Sequence, residues 1–365
     1  MSSPMFAPVS LLIIVAMVIL STSIIEGGGI AIVENHSVYA SPSPSTATLS
    51  GFNFAAAGDW DCDINARNTL NNILDKNPEL ILGLGDYVYG GDSADCWLEI
   101  VEPIDDKIKI AIGNHETGAI LTELMEHFNL TDQYYSFDYQ NVHFTVMSDY
   151  VSDEIGSEQY RFVQNDLAKA ATDPNIDWIT VSHHKNAYRS TGHSAISEAY
   201  GKWKETYHPL FEQYNVDLVL QAHYHTYQRS YPIKYNADTS SNPIITDTNT
   251  NTYTNPEGQI FLTVGTGGAF LQNLNGNKAP YLVTAQDKEF GFLNADVTNN
   301  NNDGTTTLVG TFYSNNGGEI TDQFTIAKSA AGDLPLPSPP PPELPAEEET
   351  EEDAAEEEGQ EEDEG

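Results

Sequence analysis

From residue 51 to about 328, short apolar runs alternate with stretches whose apolar positions recur every three or four residues. Strands interleaved with amphipathic helices produce that pattern. It predicts strands at 52–57, 79–84, 107–112, 142–147, 178–182 and 216–220. Helices are predicted at 65–76, with Leu70 and Ile73 inward, and at 117–128, 158–171 and 200–214. Beyond them the chain turns to β character, with strands at 259–264, 290–297, 305–313 and 319–326, and Asn302-Asp303-Gly304 reads as a hairpin turn. The Asn/Thr-rich stretch 236–255 reads as a long, mobile polar loop. No internal repeat is visible, and one α/β domain over residues 51–328 accounts for the pattern.

The two ends break the pattern. Leu11 to Leu20 is an unbroken apolar run, shorter than the ~20 residues of a membrane span and closer to a signal-peptide core. No Lys or Arg precedes it. Residues 1–40 are therefore expected to be a signal peptide, cut after Ala40, or an uncleaved membrane tether, with 41–50 a linker. Residues 329–365 begin proline-rich and finish as Glu/Asp runs holding no basic residue, a composition that stays solvated. The whole chain carries a formal charge of −39. A surface of that sign repels phosphate backbones and anionic membranes, so no nucleic-acid partner is expected. Export would put Cys62 and Cys96, the only cysteines, in an oxidising compartment, where one disulfide is expected; two buried thiols or a metal-ligand role are the alternatives. The expected location is secreted, or at the extracytoplasmic cell surface.

Polar residues cluster where the predicted strands stop. Gly58-Asp59, Gly85-Asp86, Gly113-Asn114-His115-Glu116, Ser182-His183-His184 and Ala222-His223-Tyr224-His225 each follow an apolar run. Singly these are weak signals, since a strand-terminal Asp is often a helix cap and a His-x-His pair can be ordinary surface. Five in order deliver carboxylate, amide and imidazole groups to the carboxyl edge of a sheet, where open α/β folds bind ligands. Such donors suit first-row metal ions, and a carboxylate can bridge two of them.

The series GDWDC, GDYVY, GNHE, SHH and AHYH resembles the calcineurin-like metallophosphoesterases, with GNHE the most specific piece. Tyr89, three residues after Asp86, and Asp59-Trp60 are similar to the pattern of the purple acid phosphatases within that superfamily. The resemblance implies a four-layer αββα sandwich of two mixed β-sheets flanked by helices, and two metal ions, iron plus zinc, manganese or iron. It implies Asp59, Tyr89 and His225 on one metal, Asp86 bridging, and Asn114, His183 and His223 on the other. Strand-end position favours His183 over His184 as the ligand of that pair. His115 is expected against the phosphoryl oxygens, and His193 near the leaving group. Three departures stand out: Asp61 where the purple enzymes have Gly and other members a ligating His, Lys185 where Pro is common, and Ala222 where Gly is usual. The implied activity is hydrolysis of small phosphate monoesters by in-line attack of a metal-activated hydroxide. Phosphodiesterase or nucleotidase action on the same site, or a non-catalytic cell-surface binding role, are the alternatives.

Overall fold

The structure, a computed structural model, describes residues 51–91, 93–190, 201–276, 278–300 and 304–329. The signal or tether segment, the acidic tail and His193 lie outside them.

The first half of the fold runs β1 (Phe52–Ala57), α1 (Ile64–Lys76), β2 (Leu80–Gly83), α2 (Asp95–Val101), β3 (Ile108–Ile110) and α3 (Gly118–His127). Next come β4 (Tyr135–Tyr139), β5 (Val142–Val146), α4 (Glu158–Ala170), β6 (Trp178–Ser182), α5 (Gly201–Gln213) and β7 (Leu218–Gln221). The remainder is β8 (Tyr227–Ser230), the short pair β9 (Ile233–Lys234) and β10 (Ile244–Ile245), β11 (Thr252–Thr254), β12 (Ile260–Val264) and β13 (Leu282–Gln286). It closes with β14 (Gly291–Asn300), β15 (Thr305–Ser314) and β16 (Ile320–Ser329).

Two seven-stranded mixed sheets result, ordered β11-β16-β15-β14-β1-β2-β3 and β13-β8-β12-β7-β6-β5-β4. Alternation along each strand builds the layers, because successive side chains face opposite ways. In β1, Phe52, Phe54 and Ala56 enter a core shared with Val142, Phe144, Trp178, Leu218 and Leu220 of the other sheet. Ala55 and Ala57 turn instead to Leu70, Ile73, Trp97 and Leu124 of α1, α2 and α3. The second sheet does the same with Ile179, Val181 and Val219, which pack on Val163, Leu167, Trp203 and Phe211 of α4 and α5. The expected four-layer αββα sandwich is the fold observed.

Local chemistry sets the boundaries. Asp63 Oδ1 accepts from the backbone N–H of Asn65 and Ala66 and so caps α1. β14 and β15 pair antiparallel from Gly291↔Ser314 to Asn300↔Thr305; Asn302 and Asp303 of the expected turn lie outside the described residues. The polar stretch 236–255 departs from expectation: it carries β10 and β11, and β11 pairs in parallel with β16. Tyr253 supplies the reason, since its buried ring joins the inter-sheet core and its hydroxyl accepts from Arg229.

β1, β2 and β3 are mutually parallel in the first sheet, as are β5, β6, β7 and β12 in the second. A disulfide joins Cys62, in the turn after β1, to Cys96 of α2.

Candidate metal centre

Asp59 follows β1, Asp86 follows β2, Asn114 and His115 follow β3, His184 follows β6, and His223 and His225 follow β7. Backbone bonds link these turns across the edge: Asp59 N–H donates to Gly85 O at 2.9 Å, Trp60 N–H to Asp86 O at 2.8 Å, and Ala222 N–H to His184 O at 2.9 Å. To turn its side chain inward, the chain bends sharply at Asp59 (φ 57°), Asp86 (φ 55°) and His223 (φ 65°). Left-handed backbone at a non-glycine residue is costly and collects at functional sites. Gly113 permits the closest approach, because a Cβ there would stand 2.2 Å from Asp86 Oδ1.

Two groups of donors meet in this space. Tyr89 Oη lies 2.8 Å from Asp59 Oδ1, 2.9 Å from His225 Nε2 and 3.3 Å from Asp86 Oδ2. The same Asp86 Oδ2 lies 3.2 Å from His184 Nε2, and His223 Nδ1 lies 3.2 Å from His184 Nε2. Asp86, His184 and His223 form a cluster whose ligand atoms all lie within 4.8 Å of one another. Asp86 thus touches both groups. His115 sits at the rim, with its backbone N–H on Asp86 Oδ1 at 2.9 Å and Nε2 3.9 Å from Oδ2. Asn114 Oδ1 accepts from Tyr150 Oη at 3.3 Å.

Strand phase separates His183 from His184. In β6, Ile179 and Val181 face α4 and α5, and His183 keeps that phase, stacking on Trp203 with ring centroids 4.0 Å apart. Its Nδ1 is held by Asp149 at 3.1 Å. His184 takes the opposite phase and is the imidazole at Asp86. Asp61 is not in the cluster either: its Oδ1 accepts from Cys62 N–H at 2.8 Å, and its φ of 61° accounts for the usual glycine.

Two buried carboxylates that the motif reading did not single out for a role hold the turns. Asp149 accepts from His183 Nδ1 and from the backbone N–H of His184 and Lys185. The Lys185 N–H bond needs a residue other than proline. Glu116 accepts from the N–H groups of Asp86, Tyr87 and Gly113 at 2.7–2.9 Å. Asp149 was findable, since it follows β5 at the same edge. Glu116 stood inside GNHE without an assigned role.

The electrostatics show what the space lacks. Burial disfavours ionisation of Asp86, but the hydrogen bond and charge of His184 outweigh it and bring the carboxyl down to about 2. Burial likewise opposes charge on His184, yet Asp86 and Asp59 push it up to about 9. His223, buried and facing that imidazolium, falls to about 4. Burial and the Asp59 and Asp86 carboxylates push the Tyr89 phenol upward. Burial and the Asp86 charge raise Glu116 to about 7. The anionic set calls for positive charge, which a proton on His184 supplies here and a cation supplies equally well. Three further observations fit metal ions. Asp59 Oδ2 is buried without a hydrogen-bond partner. His184 Nδ1 meets Leu84 O at 2.7 Å, and His225 Nδ1 meets Phe270 O. A carbonyl can only accept, so both rings donate from Nδ1 and turn Nε2 toward the carboxylates, as metal-binding imidazoles do.

Comparison with known proteins agrees with this geometry. Residues 52–227 match the family model described as calcineurin-like phosphoesterase. An uncharacterized protein of Mycobacterium tuberculosis is 32% identical over 218 residues, covering 50% of this chain and 41% of that protein. Purple acid phosphatase 15 of Arabidopsis thaliana is 25% identical over 257 residues, covering 59% of this chain and 44% of that one. The chain therefore spans less than half the length of these two relatives. The solved purple acid phosphatase from yellow lupin seeds superposes with a TM-score of 0.66 at 22% identity, over 77% of this chain and 54% of that one. At that identity the likeness concerns the fold.

Proposed function

We propose that this chain, a calcineurin-like phosphoesterase domain over residues 52–227, hydrolyses small phosphate monoesters at a dinuclear metal centre. The observation that carries the reading is the set around Asp86, whose Oδ2 contacts both Tyr89, which also meets Asp59 and His225, and His184, which in turn meets His223. Asp59, Tyr89 and His225 would hold one ion, Asn114, His184 and His223 the other, and Asp86 would bridge. Ions so held supply the charge that lowers the pKa of water and neutralises phosphoryl oxygens. Tyr89, with its phenol between two carboxylates, favours iron in the first position; zinc, manganese or iron suits the second.

The protein's own groups do the rest. Leu84 O and Phe270 O fix the ring orientations of His184 and His225. Asp149 and Glu116 hold the turns that carry the donors. His115, partly exposed at the rim with Nε2 3.9 Å from Asp86 Oδ2, would give a proton to the departing ester oxygen, a role worth typically 10²- to 10⁴-fold. His193, outside the described residues, is a second candidate for that proton. The Cys62–Cys96 disulfide supports export, because such bonds persist in oxidising compartments. Among the described residues no helix is long and apolar enough to cross a membrane, so a tether would rest on the segment before residue 51.

Rates on 4-nitrophenyl phosphate and bis(4-nitrophenyl) phosphate test the substrate class. Faster release from the monoester is expected; a clear preference for the diester would replace monoesterase by phosphodiesterase, and turnover of neither would contradict the hydrolase reading.

A further inference from the structure

A cleft of about 400 Å³ opens beside the candidate centre and shares Asn114 and His115 with it. Val88, Ala119 and Ile120 line it together with the polar side chains of Asn114 and Thr117 and the first residue of α3, Gly118. Gly90 and Gly91 also line it, and a Cβ on either would meet nothing within 4 Å, so open space begins at the backbone. Apart from His115, no ionisable side chain among the described residues lines this cleft. His115 stands at its threshold, 3.9 Å from Asp86 through Nε2 and ring to ring with Tyr89 at 4.2 Å.

We infer that this cleft receives the leaving group of the ester and accepts an alcohol or phenol of ring size ahead of a small alkyl group. The inference rests on the phosphoesterase reading and adds the class of group that departs. A phosphoryl group drawn to the centre brings its ester oxygen to His115. What that oxygen carries needs room beyond His115, and the cleft begins there. Its volume lies in the range of small-ligand pockets. In the reaction the phosphorus–oxygen bond to the alcohol breaks, water oxygen bonds to phosphorus, and one proton passes to the departing oxygen.

Ala119 gives the test, because it is exposed on the first turn of α3 and a larger side chain there grows into the cleft without entering the core. In the full-length, metal-loaded protein, kcat/KM is measured for phenyl and methyl phosphate, and binding of phenylphosphonate and methylphosphonate by calorimetry. Wild type favours the phenyl ligand in both assays. The phenyl-to-methyl ratio falls in Ala119→Leu and by about tenfold in Ala119→Trp, the scale on which a pocket discriminates by size. A ratio unchanged in both variants overturns the inference. Tighter binding of phenylphosphonate that is lost in Ala119→Trp, without hydrolysis of any ester by wild type, keeps the cleft and overturns the hydrolase reading instead.

Discussion

His183 and His184 are neighbours in sequence and belong to different environments. Counting the period-2 phase of β6 onward from Ile179 and Val181 sends His183 to Trp203 and Asp149, and His184 to Asp86. That phase is legible in the strand, whereas strand-end position alone does not distinguish adjacent residues. His184→Ala is expected to strip metal from the protein, whereas His183→Ala keeps it and lowers stability; metal analysis beside urea unfolding separates the two. Asp149→Ala should act on both counts, since it leaves His183 without its carboxylate and two backbone N–H groups without an acceptor. Loss of such an orienting partner typically weakens metal affinity 10- to 100-fold, an order-of-magnitude expectation that a chelator titration checks.

Between elements, three contacts carry expectations for stability. Arg229 of β8 makes a two-pronged pair with Asp322 of β16 at 2.6 and 2.8 Å and also donates to Tyr253 of β11. It bridges the two sheets from a buried position, so Asp322→Ala should cost about 3–5 kcal/mol in denaturant unfolding by stranding a buried charge. Opening the Cys62–Cys96 bond by a double Cys→Ser change should cost roughly 3–4 kcal/mol for a loop of this length. His143 of β5 lies between Asp138 at 2.6 Å and Asp166 of α4 at 2.9 Å. Burial lowers its pKa, but the two carboxylates prevail and raise it above the ordinary value. The stabilisation is therefore full below the unfolded pKa of ~6.5 and lost as pH rises through the folded one. Asp166, held below its ordinary range, loses its share only in acid. The melting-temperature gap between wild type and His143→Gln should be wide near pH ~6 and narrow toward alkaline pH. Most elements were legible because periodicity is local: β1 and β6 match their predicted ranges, and α1, α3, α4 and α5 differ by a residue or so at the ends. α2 is a seven-residue helix behind a Gly-Gly turn, too short to show a period. β11 owes its existence to β16, some seventy residues away, and to the burial of one tyrosine among Asn and Thr.

Over the whole molecule, the two sheets present the carboxyl ends of parallel strands to one site, in a chain whose formal charge is −39. Five strand-end clusters made that convergence readable, whereas the cleft beside His115 was not, because it depends on how α3 lies against the turn at residues 88–91. The same anionic surface disfavours polyanionic substrates and agrees with a small monoester as the target. The claim on which the account turns is that Asp86 joins two metal ions in one hydrolytic centre. Metal content, the visible spectrum and 4-nitrophenyl phosphate hydrolysis, measured together on the purified full-length protein and on Asp86→Ala and Tyr89→Phe, test it directly. Two metals per chain are expected in wild type, with activity and metal lost in Asp86→Ala and a visible absorption band that disappears in Tyr89→Phe. A protein that binds no metal, or whose Asp86→Ala variant hydrolyses the ester as fast as wild type, would contradict it.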